Sequence, residues 1–237
     1  MNVKIGDKNK NKYNSTFEVI DILPKRYLLI KYDNGYVTKT RIDHFIEGTC
    51  KSPYCKTVQG KGCIGEGEYK VSINCKATKV YEVWQKMLQR CYDHKVHKKE
   101  PCYIDCEVCE EWLNFQNFAK WFYENYKEGW QLDKDILKKG NKIYSPDNCR
   151  FVPREINFLF ININTTKGFS VHGKYYKAQC CINGKQIYKY TKDLNEAISW
   201  YKSTKENNIK IMAEKYKNDL SQDIYEAMVN YKVDVNI

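Results

Sequence analysis

The chain lacks the features that mark membrane proteins, secreted proteins and several enzyme classes. It has no run of about 18 apolar residues, so the sequence predicts no membrane span. Its first residues have no apolar segment of the kind found in a signal peptide. No phosphate-binding glycine loop and no serine or cysteine nucleophile with a histidine partner can be found in it. These absences predict a cytoplasmic protein.

The cysteines lack the pattern of a disulfide framework or of a complete zinc site. There are 11 of them, an odd number, and their spacing is irregular, which favours reduced thiols in an aromatic core. Cys106 and Cys109 have the C-x-x-C spacing of zinc ligands, and a second such pair is absent. We therefore expect buried thiols, with a structural Zn²⁺ at Cys106 and Cys109 as the less favoured alternative.

The chain has an excess of positive charge that lies towards its two ends. The formal net charge is +11 over 237 residues. Residues 1–56 have 11 Lys and Arg against 6 acids, residues 57–166 have 17 against 15, and residues 167–217 have 11 against 4. A basic surface favours a polyanionic partner, either nucleic acid or an acidic membrane, although a coat of solvated lysines has the same composition.

The N-terminal quarter has the pattern of a small β-module. Short runs rich in β-branched and aromatic residues predict three strands, at 17–23, 27–32 and 36–41. The Asp-Asn-Gly sequence at 33–35 predicts a hairpin turn, because Asn and Gly tolerate positive φ. We expect a β-barrel-like module over residues 1–58, followed by a glycine-rich linker over residues 59–79.

From residue 80 the apolar period becomes helical. Tyr81, Trp84, Leu88 and Cys91 share one helical face. A second helix is predicted over 110–125. Pro153 suits the first turn of a third helix, where its missing N–H has no consequence. These elements define a central helical unit over residues 80–163.

The last third predicts a sheet and two helices. The strands "YYKAQCCI" and "KQIYKY" flank Asn183 and Gly184, a second hairpin signal. A long amphipathic helix is predicted after residue 193 and a short one from Ser221. These elements define a third structured unit over residues 164–237. Because sheets and helices occur in separate parts of the chain, the predicted fold class is α+β.

Residues 132–157 have the pattern of a strand, a loop, a strand and a helix start. Asp133 and Asp135 stand at the end of the first strand, and Asn148 and Asn157 follow in the loop and the helix. Such a unit can hold one hard divalent cation between strand and helix, with carboxylate and amide oxygens and water as ligands. A cation placed there would stabilise charge on a scissile phosphate.

This stretch resembles the HNH endonucleases of the ββα-metal class, which include phage homing endonucleases. The resemblance implies that Asp133 and Asn157 are ligands of Mg²⁺ or another divalent cation. It implies that Asn148 ties the loop together through backbone contacts. Lys134 falls where the family has its general-base histidine, and because lysine keeps its proton near neutral pH, cleavage is expected to be weak or lost. Asp135 is the alternative base, but alternation along a strand turns its side chain to the other face.

Residues 166–216 resemble an APETALA2-type DNA-binding domain, in which a three-stranded sheet packs on a helix and its other face enters the major groove. Gly168, the stretch "KYYKAQ", "NGK" and "EAISWY" carry the resemblance. Alternation places Ala178 and Cys180 inward, and Lys177, Gln179 and Cys181 outward. The DNA-binding residues it implies are Lys174, Lys177, Gln179, Lys185 and Lys189.

The stretches "WQKMLQRCY", "EWLNFQNF" and "LDKDILKKGNKIYSPDNCRFVPREIN" precede the APETALA2-like unit. In this order residues 81–231 are also similar to a family of uncharacterised phage proteins, which implies a phage origin. Three functional hypotheses follow. The first is a double-stranded DNA-binding protein with weak or lost metal-dependent cleavage, as in a homing endonuclease. The second is a non-catalytic, regulatory DNA-binding protein on the same scaffold. The third is a phage counter-defence protein that binds a host nuclease or its nucleic acid, with a host defence protein as the partner.

Overall fold

The structure is a computed structural model that describes residues 3–160, 168–182 and 184–235. The chain divides into two compact units, Met1–Glu124 and Asn125–Ile237. Helices and small antiparallel sheets alternate, so the predicted α+β class is confirmed. The finer division at residues 58, 79 and 163 stays a prediction, and its last boundary lies outside the described residues.

Unit 1 begins with a four-stranded antiparallel sheet in the order β1-β2-β3-β4. The strands are β1 (Lys8–Lys10), β2 (Thr16–Leu23), β3 (Tyr27–Tyr32) and β4 (Val37–Arg41). The three predicted strands are confirmed within one residue, and β1 is an addition that the sequence did not indicate. At the β3–β4 turn Gly35 has a φ of +88° and donates its N–H to the carbonyl of Tyr32, as expected of the predicted hairpin.

One face of this sheet packs on a short helix, α1 (Ile42–Ile46). Phe17, Leu28, Ile30 and Phe45 are buried between them. Among the described strands β1 and β4 each pair on one side only. The barrel-like module expected for residues 1–58 is therefore an open sheet with a helix over one face.

The remainder of unit 1 is mainly helical. Its elements are β5 (Ser72–Ile73), β6 (Lys76–Ala77), α2 (Lys79–Tyr92), α3 (His94–Lys99), a 3-10 turn at Pro101–Tyr103, β7 (Glu107–Val108), a 3-10 turn at Glu110–Leu113 and α4 (Phe115–Asn125). The helix predicted over 110–125 is wrong in its first turn. Asn114 is extended, with φ −91° and ψ 119°, and its side-chain oxygen accepts the N–H of Gln116 at 3.0 Å. This hydrogen bond between a side chain and nearby backbone interrupts the helix at Asn114, and α4 begins at the next residue.

The glycine-rich stretch 60–68 has little regular structure, as expected, but it packs closely on the helical part of unit 1. Cys63 donates its N–H to Leu113 O and accepts the N–H of Phe115, both at 2.9 Å. Gly65 has a φ of +72°, and a Cβ added there would lie 2.1 Å from the side-chain oxygen of Asn114. Only glycine fits this position without moving Asn114.

Unit 2 begins with β8 (Gln131–Asp133), β9 (Ile143–Tyr144), β10 (Arg150–Val152) and α5 (Arg154–Phe160). Strands β8 and β10 are antiparallel, with Asp133 opposite Arg150. The predicted third helix is confirmed, and Pro153 lies just before it and accepts the N–H of Asn157 at 3.0 Å.

A three-stranded antiparallel sheet and two helices complete unit 2. They are β11 (Phe169–His172), β12 (Tyr175–Ile182), β13 (Lys185–Thr191), α6 (Leu194–Lys215) and α7 (Gln222–Val229). The order is β11-β12-β13, and α6 packs on the sheet. The predicted sheet-plus-helix arrangement is confirmed. Of the predicted turn, Gly184 has a φ of +75°, while Asn183 lies outside the described residues.

Strands β8 and β10 with helix α5, residues 131–160, are called the ββα segment. One hydrophobic core joins this segment to the three-stranded sheet and its helices. Val152 and Ile156 from the first part lie in the same buried cluster as Tyr201, Ile209 and Met228. Gly168, at φ +72°, packs directly on the ring of Tyr201 and leaves no room for a side chain, since an added Cβ would lie 2.3 Å from that ring. The glycine and the tyrosine of the APETALA2-like pattern are therefore packing partners.

Candidate nucleic-acid interface and the ββα segment

Asp133 ends β8 with its carboxyl group turned to the following backbone. Its Oδ1 accepts the N–H groups of Asp135 and Ile136, each at 2.8 Å. The residue is only 9% exposed, and burial raises its pKa to about 6, although the two backbone donors act in the opposite direction. The side chain therefore shapes the turn after β8.

Lys134 connects two parts of the loop through hydrogen bonds of its side chain. Its Nζ donates to both carboxylate oxygens of Asp135, at 2.8 and 2.9 Å, and to the carbonyl of Asn141 at 2.7 Å. Its exposed fraction is 6%. The contacts of the amino group are thus made inside the loop, so this geometry does not offer it to a water molecule.

The loop is tied by Asn141, a residue that the sequence patterns did not single out. Its Nδ2 donates to Lys134 O at 3.0 Å and to Ile143 O at 2.7 Å, and its Oδ1 accepts the N–H of Ile143. Asn148, for which the HNH resemblance implied this role, uses its backbone N–H to bond Ser145. The Gly-Asn sequence at 140–141 was the available signal, because Asn beside Gly is common where side chains close turns.

Asn157 reaches back from α5 to the start of β8. Its Nδ2 donates to Gln131 Oε1 at 2.7 Å. Gln131 and Asp133 are two residues apart on one strand and so share a face, and this places Asn157 and Asp133 on the same side of β8. A divalent cation here would have these two side chains as protein ligands and would need water and phosphate oxygens for the rest.

Zinc ligation was tested on the geometry of the thiols. Cys106 is buried, Cys109 is half-buried, and no group of three His, Cys, Asp or Glu suited to a metal ion occurs within residues 3–160, 168–182 and 184–235. The alternative of a structural Zn²⁺ at these cysteines stays a prediction.

The outer face of the β11–β13 sheet, defined as the face away from α6, carries two of the predicted DNA-binding residues. Ala178 and Cys180 are buried as expected, so Lys177 and Gln179 leave β12 on the opposite side. Lys174 lies in the turn between β11 and β12.

Lys185 and Lys189 are placed differently. Register pairs Lys189 with Ala178 and Lys185 with Ile182, so both start from the helix side of the sheet. Lys189 Nζ lies 2.7 Å from Glu196 at the first turn of α6. This lysine therefore stabilises the packing of sheet and helix.

Three exposed tyrosines on the outer face were not among the predicted DNA-binding residues. Tyr175 is 46% exposed, Tyr188 48% and Tyr190 58%. Tyr188 stands opposite Gln179 and Tyr190 opposite Lys177, so their side chains share one face. The alternation in "QIYKY" contained this information, but aromatic residues in a strand are more often assigned to the core.

Comparison of the chain with protein-family models, with curated proteins and with solved structures finds no match. None of the helices that the structure describes is both long enough and apolar enough to cross a membrane.

Proposed function

We propose that this protein binds DNA through the outer face of the β11–β13 sheet, with double-stranded DNA as the partner that the sequence predicts. In this proposal the ββα segment is a scaffold on which phosphodiester cleavage is weak or absent. The protein then acts by occupying DNA, as the regulatory hypothesis requires.

The composition of the sheet carries the proposal. The outer face carries Lys177 and Gln179, Lys174 lies in the turn between β11 and β12, and none of the three strands contains Asp or Glu. Residues 167–217 as a whole have 11 Lys against 4 acids. A surface of this charge attracts a polyanion and contacts phosphates independently of sequence, while Gln179 offers an amide that can pair with adenine.

The scaffold part of the proposal is supported by Lys134. Both its carboxylate partner, Asp135, and its carbonyl partner, Asn141, are within the same loop. Loss of a general base alone typically lowers a rate by about 10²–10⁴. A loop in which the amino group of Lys134 is bound by other loop residues fits a DNA-binding protein better than a nuclease.

The test of DNA binding is a titration of duplex DNA with the full-length protein and two charge-matched variants. Lys177→Gln removes a cation from the outer face and is expected to weaken binding. Lys215→Gln removes one from α6, where it pairs with exposed Glu155 at 2.7 Å, and is expected to leave affinity unchanged. Equal losses in both variants, or no binding of either duplex or single-stranded DNA by the parent protein at low salt, would refute the interface.

Weak metal-dependent cleavage is the second candidate, because Asp133 and Asn157 lie on the same side of β8. The test is nicking of a supercoiled plasmid with Mg²⁺ or Mn²⁺ by the parent protein, Asp133→Ala and Lys134→His, with melting temperatures measured in parallel. We expect little nicking by the parent protein. If the parent protein nicks the plasmid efficiently and Asp133→Ala abolishes the nicking, the ββα segment is a nuclease site and the scaffold proposal is wrong.

If Lys134→His creates nicking activity, the rest of the site is intact and only the base was missing. If the folded variant cuts nothing, the ββα segment has lost more than its base.

A further inference from the structure

The three exposed tyrosines form an ordered aromatic surface. Tyr188 and Tyr190 are two residues apart on β13, so their Cα atoms lie about 7 Å apart along the strand. Lys177 Nζ lies 4.0 Å from the centroid of the Tyr188 ring and 6.0 Å from that of Tyr190. His172 approaches Tyr190 edge-on, with ring centroids 6.5 Å apart. One ammonium thus lies within about 6 Å of both ring centroids, the distance at which cation–π attraction acts.

The chemistry of this surface distinguishes among polyanion partners. Tyrosine presents a flat ring face and a hydroxyl and carries no positive charge, so it adds little to the attraction of phosphate. A ring face does, however, stack on a nucleobase, and such stacking tolerates any base because every base has a π-face.

A closed duplex does not supply such bases. In the major groove a protein meets the edges of base pairs, which are read by hydrogen bonds. Base faces become available only in single strands or where pairs are opened, at the cost of unstacking. Half-exposed tyrosine rings beside a lysine match base and phosphate of an unpaired strand better than the edges of a groove.

We propose that the outer face binds DNA whose bases are unpaired, either single-stranded or locally opened, with the rings of Tyr188 and Tyr190 stacking on bases and Lys177 contacting phosphate. This inference rests on the proposed function, that unit 2 binds DNA, and narrows it to a substrate class. The absence of Asp and Glu from the three strands supports a nucleic acid over a basic or neutral partner.

The experiment compares three probes with the full-length protein: an oligo-dT strand, an intact duplex, and the same duplex with a central mismatched bubble. We expect the strand and the bubble to bind more tightly than the intact duplex. Tyr188→Ala and Tyr190→Ala should each reduce affinity for these two probes by about fivefold or more, the lower range for loss of one stacked base. Affinity for the intact duplex should change little.

Matched variants separate stacking from other effects. Tyr188→Phe and Tyr190→Phe keep the ring and should keep the preference for unpaired bases. Tyr123→Ala removes a tyrosine of similar exposure, 59%, in unit 1 and should have no effect. Melting temperatures establish that each variant is folded, and the comparison of probes with the parent protein needs no variant.

The outcomes are distinguishable. If the parent protein binds none of the probes, the proposed function and this inference are both wrong. If it binds the intact duplex at least as tightly as the other probes, or if the alanine variants keep the preference, only the inference is overturned. Equal losses in the phenylalanine and alanine variants would assign the effect to the hydroxyl groups and refute stacking.

Discussion

At the scale of the residue, Asp133 is a carboxyl group in a place that disfavours its charge. Its pKa of about 6 lies above the value of about 3.9 for an unfolded chain. The folded state therefore binds more protons than the unfolded state between these two values, and its stability falls as pH rises through them. Well above pH 6 the carboxyl group is charged in both states, and its burial then lowers the free energy of unfolding by up to about 3 kcal/mol.

We predict that Asp133→Asn removes this pH dependence. An amide oxygen can still accept the N–H groups of Asp135 and Ile136, and it needs no proton to stay neutral. The unfolding free energy of the variant should match the parent protein near pH 4 and exceed it near pH 7.5. Denaturant titrations at both pH values measure the difference. Parallel curves for the two proteins would show that this carboxyl group is not desolvated.

At the scale of the element, the glycine-rich stretch of unit 1 depends on two independent constraints at Gly65. Its positive φ disfavours any side chain, and a Cβ would meet the side chain of Asn114. Gly60 has a similar φ of +65° but nothing within 4 Å of an added Cβ. We predict that Gly60→Ala costs about 1 kcal/mol of stability and that Gly65→Ala costs more, about 2 kcal/mol or above.

Thermal or denaturant unfolding of the two alanine variants measures these costs. The difference between them isolates close packing from backbone strain, because the strain is common to both. Equal losses would mean that the side chain of Asn114 moves away without cost and that the stretch is held loosely.

The sequence predicted those elements whose signal is local. Alternation in "YKAQCC" placed Ala178 and Cys180 in the core, and the Asp-Asn-Gly turn fixed one hairpin. It did not predict the break at Asn114, because a side chain that bonds its own backbone leaves the apolar period unchanged. Nor could it show that Lys134 bonds the carbonyl of Asn141 or that Lys189 pairs with Glu196, since both depend on partners that only folding brings near.

At the scale of the whole molecule, charge predicts how DNA binding responds to salt. Among the lysines that the structure describes in residues 168–217, Lys189, Lys215 and Lys217 lie within 4 Å of carboxylates, which reduces the number available to phosphates. Contact with about 4–6 phosphates implies a slope of roughly −4 to −5 for log K against log salt concentration. Lys177→Gln should reduce its magnitude by about 1.

Titrations of one duplex at several salt concentrations give this slope. A slope near zero would indicate that the basic surface is not the binding surface. A slope that Lys177→Gln leaves unchanged would place the phosphate contacts on other lysines of the chain.

The alternation along β12 also bears on how such a protein can evolve. Its inner side chains, Ala178 and Cys180, are constrained by α6, whereas Gln179 and the tyrosines opposite can be exchanged one at a time without repacking the core. Point mutations can therefore change target preference at little cost in stability. An insertion of one residue within β13 would do the opposite, because it would carry the tyrosines into the core and expose the apolar side chains. Lineages that diversify should vary on the outer face and keep strand length constant.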